Sequence, residues 1–311
     1  MLTYLLQRLV AMVGVLFGIS IIVFALVVAA PGDPAAILLE IENGGVTPTD
    51  AEVALFRTQL GLDAPAPQRY LTWVGQALMG DLGRSYRSRQ PIVTELAARL
   101  PATLQLTGVS LVLAIGIGLP LGIGSALWRN RWFDLLVRLL VLLGGAIPSY
   151  VLALLLILLF AVELGWLPAF GSGSPRHIIL PALALAGGTI AQLMRLTHAG
   201  MIETLQQDYV RTARMKGVAP ATVIVRHALR NGLLPIITAL GLSVGHLLSG
   251  AVIVETIFNW YGIGKYAVDA IFLRDYPVIQ AVTLYMAVAF VLVNLLVDLL
   301  YRWIDPRVRL G

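Results

Sequence analysis

Along most of this chain, polar positions are missing over stretches too long for the buried face of a soluble helix. Uncharged apolar runs occupy Leu9–Ala30, Pro101–Trp128, Leu139–Val162, Gly232–Val254 and Tyr276–Val297, and a shorter run, Ile178–Met194, lies between Arg176 and Arg195. A bilayer core of about 30 Å is crossed by about 20 apolar residues in a helix, because no water is present there to satisfy exposed backbone groups. The runs therefore predict an all-α membrane protein with six transmembrane helices. The run from Pro101 would reach roughly 42 Å at about 1.5 Å per residue, so it is expected to start outside the hydrocarbon, with Pro120 a candidate kink.

Three regions lie between the spans. Residues 31–100 open on the turn Pro31-Gly32-Asp33-Pro34 and contain a helix expected around Thr49–Leu60, which Gly61 would stop. Residues 200–231 form one long loop, and Phe258–Asp275 forms another with Gly262 and Gly264. The chain then divides into an amino terminus with the first span (1–30), a partly helical segment (31–100), and a five-helix core (101–311) that includes loop 200–231.

Composition agrees with this pattern. Hydrophobic residues make up 58% of the 311 positions and charged residues 13%, against about 45–50% and about 25% in soluble domains. Soluble enzymes, nucleic-acid binders and disordered scaffolds are poor readings of such a chain. The absence of cysteine excludes disulfides, thiolate metal sites and a cysteine nucleophile. The first apolar run is longer than the core of a cleaved leader and is expected to remain as an anchor.

The formal charge of +5 is unevenly placed. With the amino terminus inside, the inner stretches hold Arg8, Arg129, Arg131, Arg138, Arg195, Arg211, Arg214, Lys216, Arg226, Arg230, Arg302, Arg307 and Arg309. The short outer loops hold only Arg176, Lys265 and Arg274. Such asymmetry orients membrane proteins with the positive side inside, so both termini and loop 200–231 are expected in the cytoplasm and residues 31–100 outside. The basic charge thus reflects topology rather than a nucleic-acid partner.

Candidate chemistry is sparse. His177, His198, His227 and His246 show no ligand spacing, and no Ser/His/Asp order suggests a nucleophile. No Gly-x4-Gly-Lys-Ser/Thr phosphate loop is present, so any nucleotide would have to be bound elsewhere. Gly116, Gly118, Gly122 and Gly124 sit inside an apolar run and read as helix-packing positions, as do Gly14/Gly18 and Gly241/Gly245. Ionisable groups at membrane depth are functional candidates. Glu255 is placed either on a solute pathway, with His246 and Asn259 as further pathway candidates, or as a structural acceptor for the 258–264 loop. Asp298 is spaced to pair with Arg302 on one helix.

The densest pattern is Asp208-Tyr209-Val210-Arg211-Thr212-Ala213-Arg214-Met215-Lys216-Gly217-Val218, followed by Pro220, His227-Ala228-Leu229-Arg230-Asn231 and Pro235. Glu203–Lys216 is compatible with one helix, Gly217 suits a left-handed cap, and Pro220 suits the first turn of a second helix. Two short helices at a turn make a knob for another protein's groove, or a basic loop on lipid headgroups.

This pattern resembles the EAA-type loop of ATP-binding-cassette importer permeases of the dipeptide, oligopeptide and nickel family, with glutathione-type peptide importers close by. Further similarity lies in Leu60-Gly61-Leu62-Asp63, Gly80-Asp81-Leu82-Gly83-Arg84-Ser85, Arg99-x-Pro101-Ala102-Thr103-Leu104, Val254-Glu255, Gly262-Ile263-Gly264 and Arg274-Asp275-Tyr276-Pro277. Tyr261 departs from the family's usual proline. The resemblance implies the type I permease fold and a non-enzymatic subunit of an inner-membrane importer that works by alternating access. A second, similar permease, two cytoplasmic ATPase subunits carrying ATP and Mg, and an extracytoplasmic solute-binding protein would complete it. This chain would itself bind no cofactor or metal. The resemblance assigns ATPase coupling to Tyr209, Arg211, Thr212, Ala213, Arg214, Lys216, Gly217, His227, Arg230 and Asn231, with Ala213 against the partner and Gly217 making the turn. Peptides are the expected solutes, nickel the alternative within the class, and a passive channel the alternative outside it.

Overall fold

The computed structural model describes residues 2–229, 232 and 234–304. Among them the regular structure is helical, and the only β feature is an isolated bridge between Arg84 and Pro91. Two compact units form, Met1–Pro101 with Lys265–Leu295, and Ala102–Gly264 with Leu296–Gly311. Residues 265–295 thus compact with the amino-terminal segment, a grouping that order along the chain does not suggest.

In the first unit, α1 (Leu2–Ala29) is the first apolar helix. It is followed by α2 (Pro34–Glu42), α3 (Asp50–Gln59) and α4 (Ala66–Leu78). Asp33 caps α2 by accepting from the Ala35 amide at 3.0 Å, and its other oxygen pairs with Arg57 of α3 at 2.9 Å. The expected helix near Thr49–Leu60 is α3. Thr49 and Glu52 close a reciprocal capping box at its start, and Gly61 stops it at φ +65°. Phe24 of α1 meets Tyr70 and Trp73 of α4 in an aromatic cluster, and Ser20 lies 2.8 Å from the Tyr70 hydroxyl. The same unit contains α12 (Ile263–Phe272) from Lys265 onward and most of α13 (Tyr276–Ile304). Asp275, just before α13, accepts from Ser85 Oγ at 2.6 Å and from the Tyr86 amide at 3.1 Å, and Tyr276 donates its hydroxyl to Pro31 O at 3.0 Å.

Helix α5 (Ile92–Leu127) begins before the expected Pro101 and runs without a break through Pro120. Its added turns are amphipathic rather than wholly apolar. Ile92 and Leu96 are buried while Glu95 pairs with Arg99 at 3.1 Å, so they escape a search for uncharged runs.

The second unit is organised around α8 (Ile179–Leu205), against which α6 (Trp132–Ala146), α7 (Ser149–Leu156) and α11 (Leu234–Ile257) pack. Its Ala182, Ala184, Ala186 and Ala191 are buried, and these small side chains let neighbouring backbones come close. Helix α5 approaches it through glycine. A Cβ on Gly122 would lie 2.6 Å from Thr197 Cβ, and one on Gly118 would lie 2.9 Å from Leu193 Cβ. The packing role expected for these two residues is therefore seen, whereas nothing lies within 4 Å of a Cβ on Gly14, Gly18 or Gly116.

One span departs from expectation. The run Leu139–Val162 is not one helix but two, α6 and α7 with its π-helical continuation Ile157–Glu163, bent by 110°. Pro148 supplies no amide and holds the residue before it in extended geometry, and Ile147 has ψ 119°. Five helices among the described residues are long and apolar enough to cross a membrane, six if the bent pair counts as one span.

Candidate functional site

Loop 200–231 folds on its own small core. The expected continuous helix over Glu203–Lys216 is interrupted: α8 ends at Leu205, Gln207 is extended (φ −71°, ψ 147°), and α9 runs Asp208–Met215. The reason is register. At about 100° per residue, Val210 in an unbroken helix would be turned about 240° from buried Thr204. The break lets Val210 (fully buried), Ala213 and Val223 close on one another, with Leu205 and Val218 at their edge.

The turn after α9 has the geometry that glycine was expected to provide. Lys216 is the C-cap and Gly217 has φ +76°; the Gly217 amide donates to Arg214 O at 3.0 Å and the Val218 amide to Ala213 O at 3.2 Å. This is the paired hydrogen bonding of a Schellman motif, with Val218 making the hydrophobic contact back to the helix. Pro220 then opens α10 (Pro220–Thr222), which continues as a π-helix over Val223–Leu229.

This arrangement corrects one assignment. Ala213 is 8% exposed and faces the loop's own core, not outward. It shares the i, i+3 stripe with Val210, and an eight-residue helix has only one such stripe to bury. The outward face instead presents Tyr209, Arg211, Thr212, Arg214, Met215, Lys216 and Gly217. Met215, 80% exposed between two cations, is the residue that motif reading passed over. The available signal was its place off the 210/213 stripe. The side chain of His227, and Arg230 and Asn231 altogether, lie outside the described residues.

The base of the loop is a backbone crossing. A Cβ on Gly200 of α8 would lie 2.9 Å from Gly232 O, and one on Gly232 would lie 3.4 Å from Gly200 O. Thr204 donates to Gly200 O at 2.7 Å beside it. Ile224 and Leu229 pack with Met201, Ala228 and Ala126 just above the crossing. The knob is thus joined closely to α8 and to the chain entering α11.

At the near end of α5 and α6, Asp134 is buried and multiply bonded. It accepts from Ser125 Oγ at 2.6 Å, from the Asn130 amide at 2.9 Å and from Arg138 at 2.7 Å. Ser125 also lies 2.8 Å from His198 Nδ1 of α8. Asn130 holds φ +61° in the turn, a conformation asparagine tolerates. No spacing in the sequence marks this network, because Ser125 and His198 meet only when α5 packs on α8.

The three pathway candidates do not form one site. Glu255 is fully buried: Thr103 Oγ1 donates to its Oε1 at 2.6 Å, and the Ile263 amide donates to the same Thr103 oxygen at 2.9 Å. A Cβ on Gly262 would overlap its carboxylate, and one on Gly264 would lie 3.0 Å from Oε2, which accounts for both glycines of Gly262-Ile263-Gly264. Of the two readings of Glu255, the geometry matches the structural acceptor. His246 is exposed on α11, about 13 Å before Glu255 at about 1.5 Å per residue. Asn259 is exposed at φ +51° past the helix end. The side chains of Asp298 and Arg302 lie outside the described residues.

Comparison with known proteins gives a consistent picture. The glutathione transport system permease protein GsiC of Escherichia coli (strain K12) is 44% identical over 310 residues, with 99% of each chain covered. Its namesake from Shigella flexneri serotype 5b (strain 8401) is 43% identical with the same coverage. Both relatives are transport permeases rather than enzymes. An inward-facing MetNI methionine ABC transporter shares the fold at TM-score 0.57 and 18% identity, over 68% of this chain and 96% of that one. An amino acid ABC transporter does so at 0.52 and 20%, over 68% and 94%. Residues 1–107 match the amino-terminal family "Binding-prot-dependent transport system membrane comp, N-term", and residues 118–310 match "Binding-protein-dependent transport system inner membrane component". On those matches, this multi-pass chain belongs to the binding-protein-dependent transport system inner membrane components, the permease subunits of ABC importers.

Proposed function

We infer that this permease carries small peptides, glutathione among them, inward across the cytoplasmic membrane, and that loop 200–231 is where an ATPase subunit drives it. One observation carries the coupling role. A knob with its own core presents Tyr209 and Met215 among Arg211, Arg214 and Lys216, and hangs from two long helices at a glycine crossing. Apolar anchors ringed by cations suit a cleft with an acidic rim. The near full-length identity to GsiC supports the peptide class.

In this reading the chain pairs with a second, similar permease. Two ATPase subunits hold ATP and Mg below the membrane, and a solute-binding protein delivers from above. Both termini and the loop face the cytoplasm, which the distribution of arginines supports. Moving a two-state pathway from 1:99 to 99:1 takes about 5.5 kcal/mol of differential binding. Closure of the ATPase pair supplies it, and the rigid knob passes it to α8 and α11.

The chain has no cysteine, so Met215→Cys places a single thiol on the knob. In the assembled transporter that thiol is expected to cross-link to the ATPase subunit in a nucleotide-dependent way, and reconstituted vesicles are expected to take up labelled glutathione or a dipeptide. No cross-link in any nucleotide state would overturn the coupling role; uptake of neither peptide would overturn the solute class.

A further inference from the structure

A cleft of about 610 Å³ opens in the first unit, a size in the range of small-ligand sites. One wall is Phe24, Val27 and Val28, the last turns of apolar helix α1, and another comes from Tyr276, Pro277 and Gln280, the first turns of apolar helix α13. Since Tyr276 bonds Pro31 O, both helix ends stand at one level, where a bilayer's hydrocarbon gives way to headgroups. Trp73 and Tyr86 add amphipathic rings of the kind found at that level.

Three donors facing this cleft, Arg69, Tyr86 and Gln280, have no acceptor among the described residues. Arg69 is half-buried, lines both this cleft and an adjoining hollow of about 560 Å³, and makes no ion pair or side-chain hydrogen bond with any described residue. Its neighbour Arg57 is by contrast held by Asp33 at 2.9 Å and Asp63 at 3.3 Å. Gln280 is only 8% exposed, and its carboxamide is likewise without a hydrogen-bond partner among the described residues. Its amide group is therefore open to a ligand entering the cleft. The Tyr86 hydroxyl has no described partner either, and the charge of Arg69 acts on it.

We propose that this cleft binds an anionic glycerophospholipid, its phosphate on Arg69 with Tyr86 and Gln280 as further donors and its first acyl carbons along Phe24, Val27 and Val28. A guanidinium and neutral donors at the mouth of an apolar groove match a phosphodiester continued by hydrocarbon. A soluble anion would leave the apolar wall in water. The site is separate from loop 200–231 and stands whatever solute the transporter carries.

The test reads the lipid that stays with the assembled transporter after purification from nanodiscs of equal phosphatidylglycerol and phosphatidylcholine. Mass spectrometry is expected to find phosphatidylglycerol enriched. Arg69→Gln is expected to reduce the enrichment about fivefold, the scale of one cation near a headgroup. Arg69→Lys should keep much of it, and Arg176→Gln, a surface cation elsewhere, should leave it unchanged. Equal retention of the two lipids, or equal loss with Arg176→Gln, overturns the site. Displacement of the lipid by excess soluble glycerol phosphate overturns the lipid assignment in favour of a free-phosphate site. If Arg69→Gln fails to assemble, Tyr86→Phe with Gln280→Leu decides without a change in charge: reduced enrichment supports the site and unchanged enrichment refutes it.

Discussion

Replacing Gly217 by valine isolates the turn of the coupling knob from everything around it. A Cβ at this position meets nothing within 4 Å, so the expected effect of the substitution rests on φ +76°. Left-handed geometry costs an L-residue roughly 1–2 kcal/mol, and such strain at a bulky residue reaches about 1–3 kcal/mol. Two hydrogen bonds, Gly217 N to Arg214 O and Val218 N to Ala213 O, depend on the turn, as does the contact of Val218 with the Val210/Ala213/Val223 core. If the turn rebuilds, the Val223–Leu229 stretch leaves its place against α9 and the outward face is no longer one surface. Two kcal/mol, taken as a mid-range figure of about that size, lowers the population of the docking geometry by about thirtyfold at about 1.4 kcal/mol per decade. Asparagine tolerates left-handed backbone, so Gly217→Asn is the matched control. In reconstituted vesicles, Gly217→Val should abolish most binding-protein-stimulated ATP hydrolysis and uptake, with Gly217→Ala intermediate and Gly217→Asn near normal. Membrane insertion should be equal for all of them. Equal hydrolysis in the valine and asparagine variants would refute the argument from φ, and normal hydrolysis in both would refute the coupling role as well.

Four further outcomes are expected. Gly200→Ala drives a methyl against Gly232 O, an overpacking that typically costs about 1–3 kcal/mol, so thermal stability and stimulated hydrolysis should fall together while Gly217→Asn shows neither. Asp134→Ala removes the acceptor shared by the Ser125 hydroxyl, the Asn130 amide and Arg138, leaving Ser125 only His198, with a loss on the order of 1–3 kcal/mol read as a lower melting temperature in detergent. Tyr86 is pushed up to about 12, first by burial and then by Asp275, above the usual value near 10. Its contribution to stability is complete below about pH 10 and is lost as pH rises toward 12, so Tyr86→Phe should flatten that alkaline limb of the melting curve. Single cysteines at Met79 and Met215, 88% and 80% exposed, should label from opposite sides of intact membranes; impermeant reagent reaching position 215 from outside would reverse the orientation proposed here.

The parts of the fold that were legible in the sequence are those set by neighbours along the chain. Five apolar helices fall where uncharged runs place them. Gly61 and Gly217 stop helices because only glycine enters positive φ without a steric cost, and Pro220 opens a turn because it has no amide to lose there. Thr49 and Glu52 close their capping box across three residues.

What the sequence did not reveal depends on residues that meet only after packing. The run Leu139–Val162 has the composition of one span, yet Pro148 divides it and the surroundings of α8 fix the 110° bend. Alanine at position 213 is equally at home against a partner or inside the knob. Only the return of Val223 decides that it turns inward and leaves Met215 outside. A lone glutamate at a span end reads equally as a pathway charge or a structural acceptor, and only the fold shows that Thr103, 152 residues away, donates to Glu255. The sequence by itself determined the class of protein, most of its apolar helices and the Gly217 and Pro220 turns of the knob, because bilayer thickness and backbone sterics act over a few residues or one span. Which faces those helices bury was decided by tertiary structure alone, because desolvation and close packing depend on the atoms across the interface, and those come from distant parts of the chain.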